Sequence, residues 1–396
     1  MKREVAIIGA GDVLERYVSG MDALEVHPPL QISDVIDIVP PEILEERCAQ
    51  AGCSPKVRVH QIQQEDTYSL QKILGRIAPA AVIISTPPSF HVKYALPVME
   101  KGMLAAIEKP YAAKEEAITS LDGYVEKAGT EKLFLMGYYA LERGLPFLVL
   151  ARGGQVDTVY RDCVLPTIPA EEWEDMRHRL GRLRFISGCL LEGRGRKARL
   201  DDSYWVLHQD SGGVTLDLLY HLLCLSLAWA GPHRIGVKAT QLLVERQVRE
   251  EYRGKTGREP AETLVTTEFS MNDTPVLLMA GKYVNEEVDQ RWLRAEFEHG
   301  LVVMDLESVT MTVQSDWRQR IFQLRNMNPY VTQLRLLGRK LVFPELPPEL
   351  LLFRSGLRTG LKIREVGLSM GIQPRETKAI TVEQVDDIFS KKNPGF

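Results

Sequence analysis

A doubly wound α/β domain followed by an α+β domain on a large, mostly antiparallel open sheet is the fold class that this sequence predicts. Three observations predict it. Over about the first 135 residues, short Val- and Ile-rich runs alternate with helical patterns, which marks βαβ units and a parallel sheet. Past about residue 140 the runs lengthen and alternate apolar with polar residues, as strands with one wet face do. A glycine pair, Gly9-x-Gly11, stands between the first strand and the first helix. The boundary falls between residues 136 and 137, leaving an N-terminal domain over 1–136 and a second domain over 137–396.

Taken in order, "EVAIIGAG", "LQISDVIDIV", "AAVIIST", "MLAAIEK" and "LFLMGYY" read as strands of the first domain. The helical segments between them include "PPEILEERCAQAG", "TYSLQKILGRI" and "SFHVKYALPVMEKG", the last closing on a glycine stop signal. In the second domain a helix-like "LPFLVLARGG" leads to an irregular, partly acidic insert around "PAEEWEDM". Longer strands follow: "RLRFISGCLLEG", "RIGVKATQLLVERQV", "ETLVTTEFSM", "PVLLMAGKYV", "RWLRAEFEHGLVVMDL" and "VTMTVQS". One strong helix, "GGVTLDLLYHLLCLSLAWAG", interrupts them, and the tail from Pro344 carries an apolar helical pattern with a charged end.

Composition bounds the function classes. With 396 residues, 44% hydrophobic and 26% charged, the chain reads as a soluble two-domain protein. A net charge of −4 gives no general attraction to nucleic acid or to an anionic membrane. The five cysteines form no CxxC pair and no Cys/His set of zinc spacing, so free thiols in a reducing cytoplasm are expected and no metal is. "MKREVAIIGAG" enters a strand pattern within its first residues, which argues against a secretory signal. The longest apolar run, Leu218 to Pro232, is short for a bilayer and contains His221, so it reads as a buried core helix.

The chemistry-bearing stretches come next. In "IIGAGDVLERY", Gly9, Gly11, Asp12 and Val13 form the turn between strand and helix, where glycines let the backbone approach a pyrophosphate. Leu14 stands where a third small residue is usual. Asp37 ends the second strand and has two readings. It can accept hydrogen bonds from both ribose hydroxyls of an adenosine, or it caps the turn before Pro40. Ile38 and Val39 offer no arginine for a 2′-phosphate, which favours NAD over NADP. Ser85, Thr86, Pro87 and His91 lie in "STPPSFH", a strand-to-helix turn of the kind that lines the nicotinamide side of such a crevice.

"MLAAIEKP" places Glu108 and Lys109 at the carboxyl edge of the sheet, where α/β proteins bind ligands, with Pro110 fixing the turn. An ammonium there can polarise a substrate hydroxyl or carbonyl. In "SGGVTLDLLYHLL", Asp217 and His221 are four apart and share a helix face, a pairing suited to a general base. From Arg177 to Arg199, eight basic residues, Arg194 and Arg196 among them, stand against the single acid Glu192. That run is either a solvated surface or a receiver for a phosphate or carboxylate of the substrate. Tyr138 and Tyr139, just past the last strand of the first domain, either contact a sugar ring or pack between the domains.

"GAGDV", then "STPPSFH", "EKP" and "SGGVTLDLLYH", resemble in order and spacing the Gfo/Idh/MocA oxidoreductases, over about residues 3–320. That resemblance implies a Rossmann domain joined to an α+β domain whose open sheet often forms a dimer interface, and hence a homodimer or homotetramer. It implies that Lys109 is the active-site lysine, Asp217 its carboxylate partner and His221 the acid/base, with Glu108 near the cofactor. The expected activity is hydride transfer between NAD(P) and a secondary alcohol or ketone of a carbohydrate-like small molecule. Two other outcomes known in the family are net non-redox chemistry on a glycoside with retained NAD, and dinucleotide sensing without catalysis. The chain departs from the family at Leu14, at Leu219 where glycine is common, and over Arg152 to Arg184.

Overall fold

The short apolar runs of the N-terminal region become β1 (Arg3–Ile8), β2 (Leu30–Asp37), β3 (Arg58–Gln61), β4 (Ala81–Ile84), β5 (Leu104–Ile107) and β6 (Leu133–Leu135). The computed structural model describes residues 3–11, 13–24, 29–137, 143–156, 158–193, 200, 205–231, 234–284, 290–315, 318–324, 329–342, 349–375, 385 and 388–389. The chain divides into two compact units: Met1–Tyr138 with Asn328–Leu351, and Tyr139–Met327 with Leu352–Phe396.

In the first unit the six strands are parallel, in the order β3-β2-β1-β4-β5-β6. Val5, Ala6 and Ile7 of β1 and all of β4 are fully buried, which explains why these strands read as unbroken apolar runs. The chain order reverses between β1 and β4, and the carboxyl ends of these two strands are where such sheets open a ligand crevice. The helices between strands are α1 (Leu14–Asp22), α2 (Pro41–Gln50), α3 (Thr67–Ile77), α4 (Pro88–Glu100) and α5 (Glu115–Ala128). Their ends follow local chemistry. Asp66 accepts from the Ser69 amide at 3.0 Å to start α3, and Pro41 and Pro88 open α2 and α4. A late helix, Pro329–Lys340, returns to this unit and packs on α1.

In the second unit ten strands form one sheet in the order β16-β9-β10-β11-β8-β12-β13-β14-β15-β7. They are β7 (Val164–Leu165), β8 (Leu183–Gly193), β9 (Ile235–Glu245), β10 (Leu264–Met271), β11 (Thr274–Val284), β12 (Gln290–Phe297), β13 (Gly300–Asp305), β14 (Thr310–Ser315), β15 (Arg318–Leu324) and β16 (Gln373–Arg375). The pairs β11–β8 and β16–β9 are parallel and the rest antiparallel. The sheet is mixed but mostly antiparallel.

Four segments differ from their sequence reading. The insert around "PAEEWEDM" is a helix, Ala170–Leu180, anchored by buried Trp173 against Phe322 with ring centroids 4.5 Å apart. "RIGVKATQLLVERQV" leaves the sheet at Glu245 and turns into the helix Arg246–Thr256. "RWLRAEFEHGLVVMDL" is a hairpin, β12 and β13, turning at Glu298 and His299. The strong helix begins with a π-helical turn, Thr215–Leu219, before the α-helix Tyr220–Ala230. The latter is buried along nearly its whole length, and no described helix is long and apolar enough to cross a membrane.

Candidate functional site

The first unit carries the predicted cofactor-binding residues, grouped around the loop after β1. Gly9 sits at φ +100°, and a Cβ there would lie 2.3 Å from the Ser85 carbonyl oxygen. Only glycine lets this loop pass so close to the end of β4. Gly11 is open on its Cβ side, with nothing within 4 Å. Val13, the residue before α1, supplies no capping side chain, and the Leu14 amide turns back onto the Gly11 carbonyl at 3.1 Å, so the positive end of the helix faces the loop without a side-chain cap. A tight turn, an open glycine and an uncapped helix start together fit a dinucleotide's pyrophosphate.

Asp37 ends β2 beside this loop. Its Oδ2 accepts from the Ala10 amide at 2.6 Å, and its Oδ1 accepts from the amides of Ile38 at 2.6 Å and Val39 at 3.3 Å. A carboxylate offers about four lone-pair sites. Three are engaged by backbone, which leaves one on Oδ2, so Asp37 caps its own turn and still has room for one ribose hydroxyl rather than two. From α2, Arg47 donates to the Ala10 carbonyl at 3.4 Å, putting a guanidinium beside the glycine loop.

The turn after β5 presents Glu108 and Lys109. Glu108 is buried, accepts from the Tyr17 hydroxyl through Oε1, and accepts from the Lys109 amide at 3.0 Å through Oε2. Burial, opposed by the Tyr17 hydrogen bond, raises its pKa. The Lys109–Pro110 peptide is cis. His91, buried on α4, ties this turn to the one after β4. Its Nδ1 lies 2.9 Å from the Pro110 carbonyl and its Nε2 2.6 Å from the Thr86 carbonyl. Burial pulls the imidazole down to about 4 despite those two carbonyls. The ring is therefore neutral near pH 7 and donates from one nitrogen. His91 acts as a clamp on the two turns that carry Ser85, Thr86, Pro87, Glu108 and Lys109.

The second unit carries the other predicted residues, Asp217 and His221. Gly212 and Gly213 lie at φ +119° and +59°, and a Cβ on Gly213 would fall 2.3 Å from the Glu262 carboxyl carbon. That buried carboxylate accepts from the Thr215 amide at 3.3 Å and is gripped by Arg364, whose Nε lies 3.2 and 3.3 Å from its two oxygens. Gly213 thus leaves room for Glu262 to cap the π-turn, while Gly212 makes room for the Leu216 side chain, 2.4 Å from where a Gly212 Cβ would stand. A π-turn places one extra residue in the ladder, a feature that recurs at functional sites. Asp217 lies within it, only 4% of its side chain exposed, and accepts a hydrogen bond from Lys282 of β11. Lys282 also lies 3.5 Å from Glu192 of β8, so one ammonium joins two carboxylates. A bulge between Lys282 and Val284, with Tyr283 at φ +61°, breaks the register of β11 where Lys282 leaves it. His221 is buried one turn beyond Asp217, its ring 5.5 Å from that of Tyr220.

Sequence reasoning missed Tyr17, Arg47, Lys282, Glu262 and Arg364. Lys282 had a readable signal, since it follows the uncharged run "PVLLMAG" much as Lys109 follows "MLAAI" and Glu108. Of the predicted residues, Asp12, Tyr138, Tyr139, Arg194 and Arg196 lie outside the described residues. Among the described residues no cluster of His, Cys, Asp and Glu could hold a metal ion.

Comparison with known proteins adds three findings. Residues 3–136 match the Gfo/Idh/MocA family, described as an oxidoreductase family with an NAD-binding Rossmann fold. No curated protein matches the sequence. Solved structures match nearly the whole chain at low identity. An oxidoreductase domain protein from Kribbella flavida has a TM-score of 0.70 at 14% identity, covering 93% of this chain and 98% of its own. KijD10, a 3-ketoreductase from Actinomadura kijaniata solved with NADP and TDP-benzene, has a TM-score of 0.65 at 13% identity, covering 95% and 99%. GnnA, a UDP-N-acetylglucosamine 3-dehydrogenase from Acidithiobacillus ferrooxidans, has a TM-score of 0.63 at 17% identity, covering 94% and 99%.

Proposed function

The N-terminal domain, residues 3–136, belongs to the Gfo/Idh/MocA oxidoreductase family, and from that premise we propose that the chain is an NAD(P)-dependent oxidoreductase of carbohydrate-like secondary alcohols or ketones. The observation that carries the reading is the loop after β1, where a glycine cradle, an uncapped helix start and Asp37 meet. The substrate class is supported by the similar structures, which are named as a 3-ketoreductase and a sugar-nucleotide 3-dehydrogenase.

A bound nicotinamide supplies the hydride acceptor or donor. The chain's own residues then have these roles. Gly9, Gly11 and the first turn of α1 bind the pyrophosphate, and Asp37 takes a ribose hydroxyl of NAD in preference to a 2′-phosphate. Lys109 donates a hydrogen bond to the reacting oxygen and stabilises charge that develops on it. In the oxidation direction His221 takes the hydroxyl proton, with Asp217 held beside it by Lys282. The reading also expects a homodimer or homotetramer, which sedimentation equilibrium would measure.

The test is to denature freshly purified protein and analyse the supernatant by absorbance and mass spectrometry, adding cofactor titrations if nothing is released. Released dinucleotide, or saturable binding of NAD or NADP, is the expected result. His221→Gln should keep that binding while turnover on a panel of aldoses, inositols and sugar nucleotides falls about 100-fold or more. A chain that neither releases nor binds either dinucleotide would overturn the proposal.

A further inference from the structure

α2 ends in a turn that brings two cysteines together. The Gly52 amide donates to the Ala49 carbonyl at 3.1 Å, and the Cys53 amide donates to the Cys48 carbonyl at 2.9 Å, with Gly52 at φ +78°. This pair of bonds defines a Schellman cap, which sets the residue three from the helix end against the second residue past it. An apolar contact ordinarily fills that place. Here both positions are cysteine, so the cap turns the two side chains towards one another. Residues joined by a backbone hydrogen bond also lie near the Cα separation that a disulfide requires, about 4.4–6.8 Å.

The two thiols differ. Cys48 is 6% exposed, and pairing with Cys53 together with burial pushes its thiol up. Cys53 is half-buried, and pairing with Cys48 brings its thiol down against the effect of burial. The other three cysteines, Cys163, Cys189 and Cys224, are all buried, and burial pushes the Cys224 thiol up. Thiolate character and access govern cysteine reactivity, and only Cys53 combines the two here.

We propose that Cys48 and Cys53 form a thiol–disulfide exchange site for small-molecule disulfides, with Cys53 the attacking sulfur and Cys48 the resolving one. The Cys53 thiolate attacks one sulfur of the small disulfide, forming a mixed disulfide and expelling one thiolate. Cys48 then loses its proton to solvent and attacks the Cys53 sulfur, closing the Cys48–Cys53 bond and expelling the second thiolate. Two electrons pass from the dithiol to the small disulfide, and both expelled thiolates leave as thiols. The closed ring constrains the last turn of α2 directly after Arg47, whose guanidinium reaches the glycine loop.

The experiment treats the native full-length protein with glutathione disulfide, blocks free thiols by alkylation and digests with trypsin. Cleavage after Arg47 and Lys56 yields a peptide of residues 48–56 that holds both cysteines and no others. The expected product is that peptide lighter by two hydrogens, restored by dithiothreitol. Cys48→Ser should instead accumulate one glutathione on Cys53, and Cys53→Ser should leave the peptide without glutathione. A peptide that stays a dithiol in the native protein would overturn the proposal, leaving the thiols as the apolar contact of a helix cap. Glutathione accumulating on Cys48 in Cys53→Ser would overturn the assigned order. Neither result depends on the proposed enzymatic function.

Discussion

Three backbone amides converge on Asp37, so the residue proposed to read the cofactor also shapes the glycine loop. Removing its charge tests the first of these jobs. Asp37→Asn keeps one accepting oxygen for the Ile38 and Val39 amides, gives up the one that accepts from Ala10, and loses the repulsion of a 2′-phosphate. Calorimetric titration of both dinucleotides should show NAD preferred by the native protein. The variant's preference should shift towards NADP by tenfold or more, about 1.4 kcal/mol. An unchanged ratio would assign the discrimination elsewhere, and Arg47 is the cation already at the loop. His91 gives a second test, through pH. Its folded pKa is about 4 against an ordinary 6.5. Between those values the unfolded chain binds a proton that the native one does not, so stability falls as pH falls through this window. The contribution is about 3 kcal/mol at most. Urea denaturation at several pH values should show this slope in the native protein and a flatter one in His91→Gln, whose amide can still donate to one of the two carbonyls.

The edge strand β3 depends on a charge cluster rather than on apolar burial. Asp34 of β2 is fully buried, accepts two hydrogen bonds of 2.8 Å from Arg58 and lies 2.7 Å from His60, both on β3. Burial works to raise the Asp34 pKa, but the hydrogen bonds from Arg58 and His60 outweigh it and hold the carboxyl below its ordinary range. The resulting stability is present above the ordinary carboxylate pKa and is lost as pH falls through the lowered one. Arg58→Ala should cost about 1–2 kcal/mol, because Arg58 is more than half exposed and His60 remains. Hydrogen exchange should rise first in the β3 amides, and uniform exchange would place the strand's stability elsewhere. Legibility varied in the same physical terms. β1, β4 and β5 were plain because strands buried on both faces are apolar throughout, and the charged end of β5 was correctly placed at Glu108 and Lys109. β3 reads as "RVHQ" and hides among polar residues because its anchor is ionic. The π-turn at Thr215–Leu219 was not legible, since its residues are buried on every side and leave no periodicity to read. Its cap, Glu262, comes from 47 residues further along, a distance that no local pattern spans.

The chain leaves its first unit after Tyr138 and returns to it at Asn328. The sequence reading placed one boundary between residues 136 and 137, because nothing in an amphipathic late helix announces where it will pack. The helix Pro329–Lys340 brings Val331, Leu334 and Leu337 into the core. Tyr330 meets the Tyr17 ring edge-on with centroids 5.2 Å apart. A Cβ on Gly20 of α1 would lie 2.9 Å from Leu334 and 3.1 Å from Tyr330. Gln333 accepts from the Gly137 amide at 3.2 Å. Tyr17 is also the partner of Glu108, so this returning helix backs the residue that steadies the lysine turn. Residues 1–137 alone would therefore expose an apolar stripe of α1 and leave Tyr17 without its packing neighbour. That fragment should be less stable by several kcal/mol, since each large buried side chain is worth about 1.5–3 kcal/mol. Residues 1–137 joined through a flexible linker to 329–342 should recover the lost stability. Urea titrations of the two fragments, followed by far-UV circular dichroism, make the comparison. Tryptophan fluorescence would not serve, because all five tryptophans, Trp173, Trp205, Trp229, Trp292 and Trp317, fall in the second unit. Equal stability of the two fragments would show that the N-terminal unit folds without its late helix, and that Tyr17 holds Glu108 without that support.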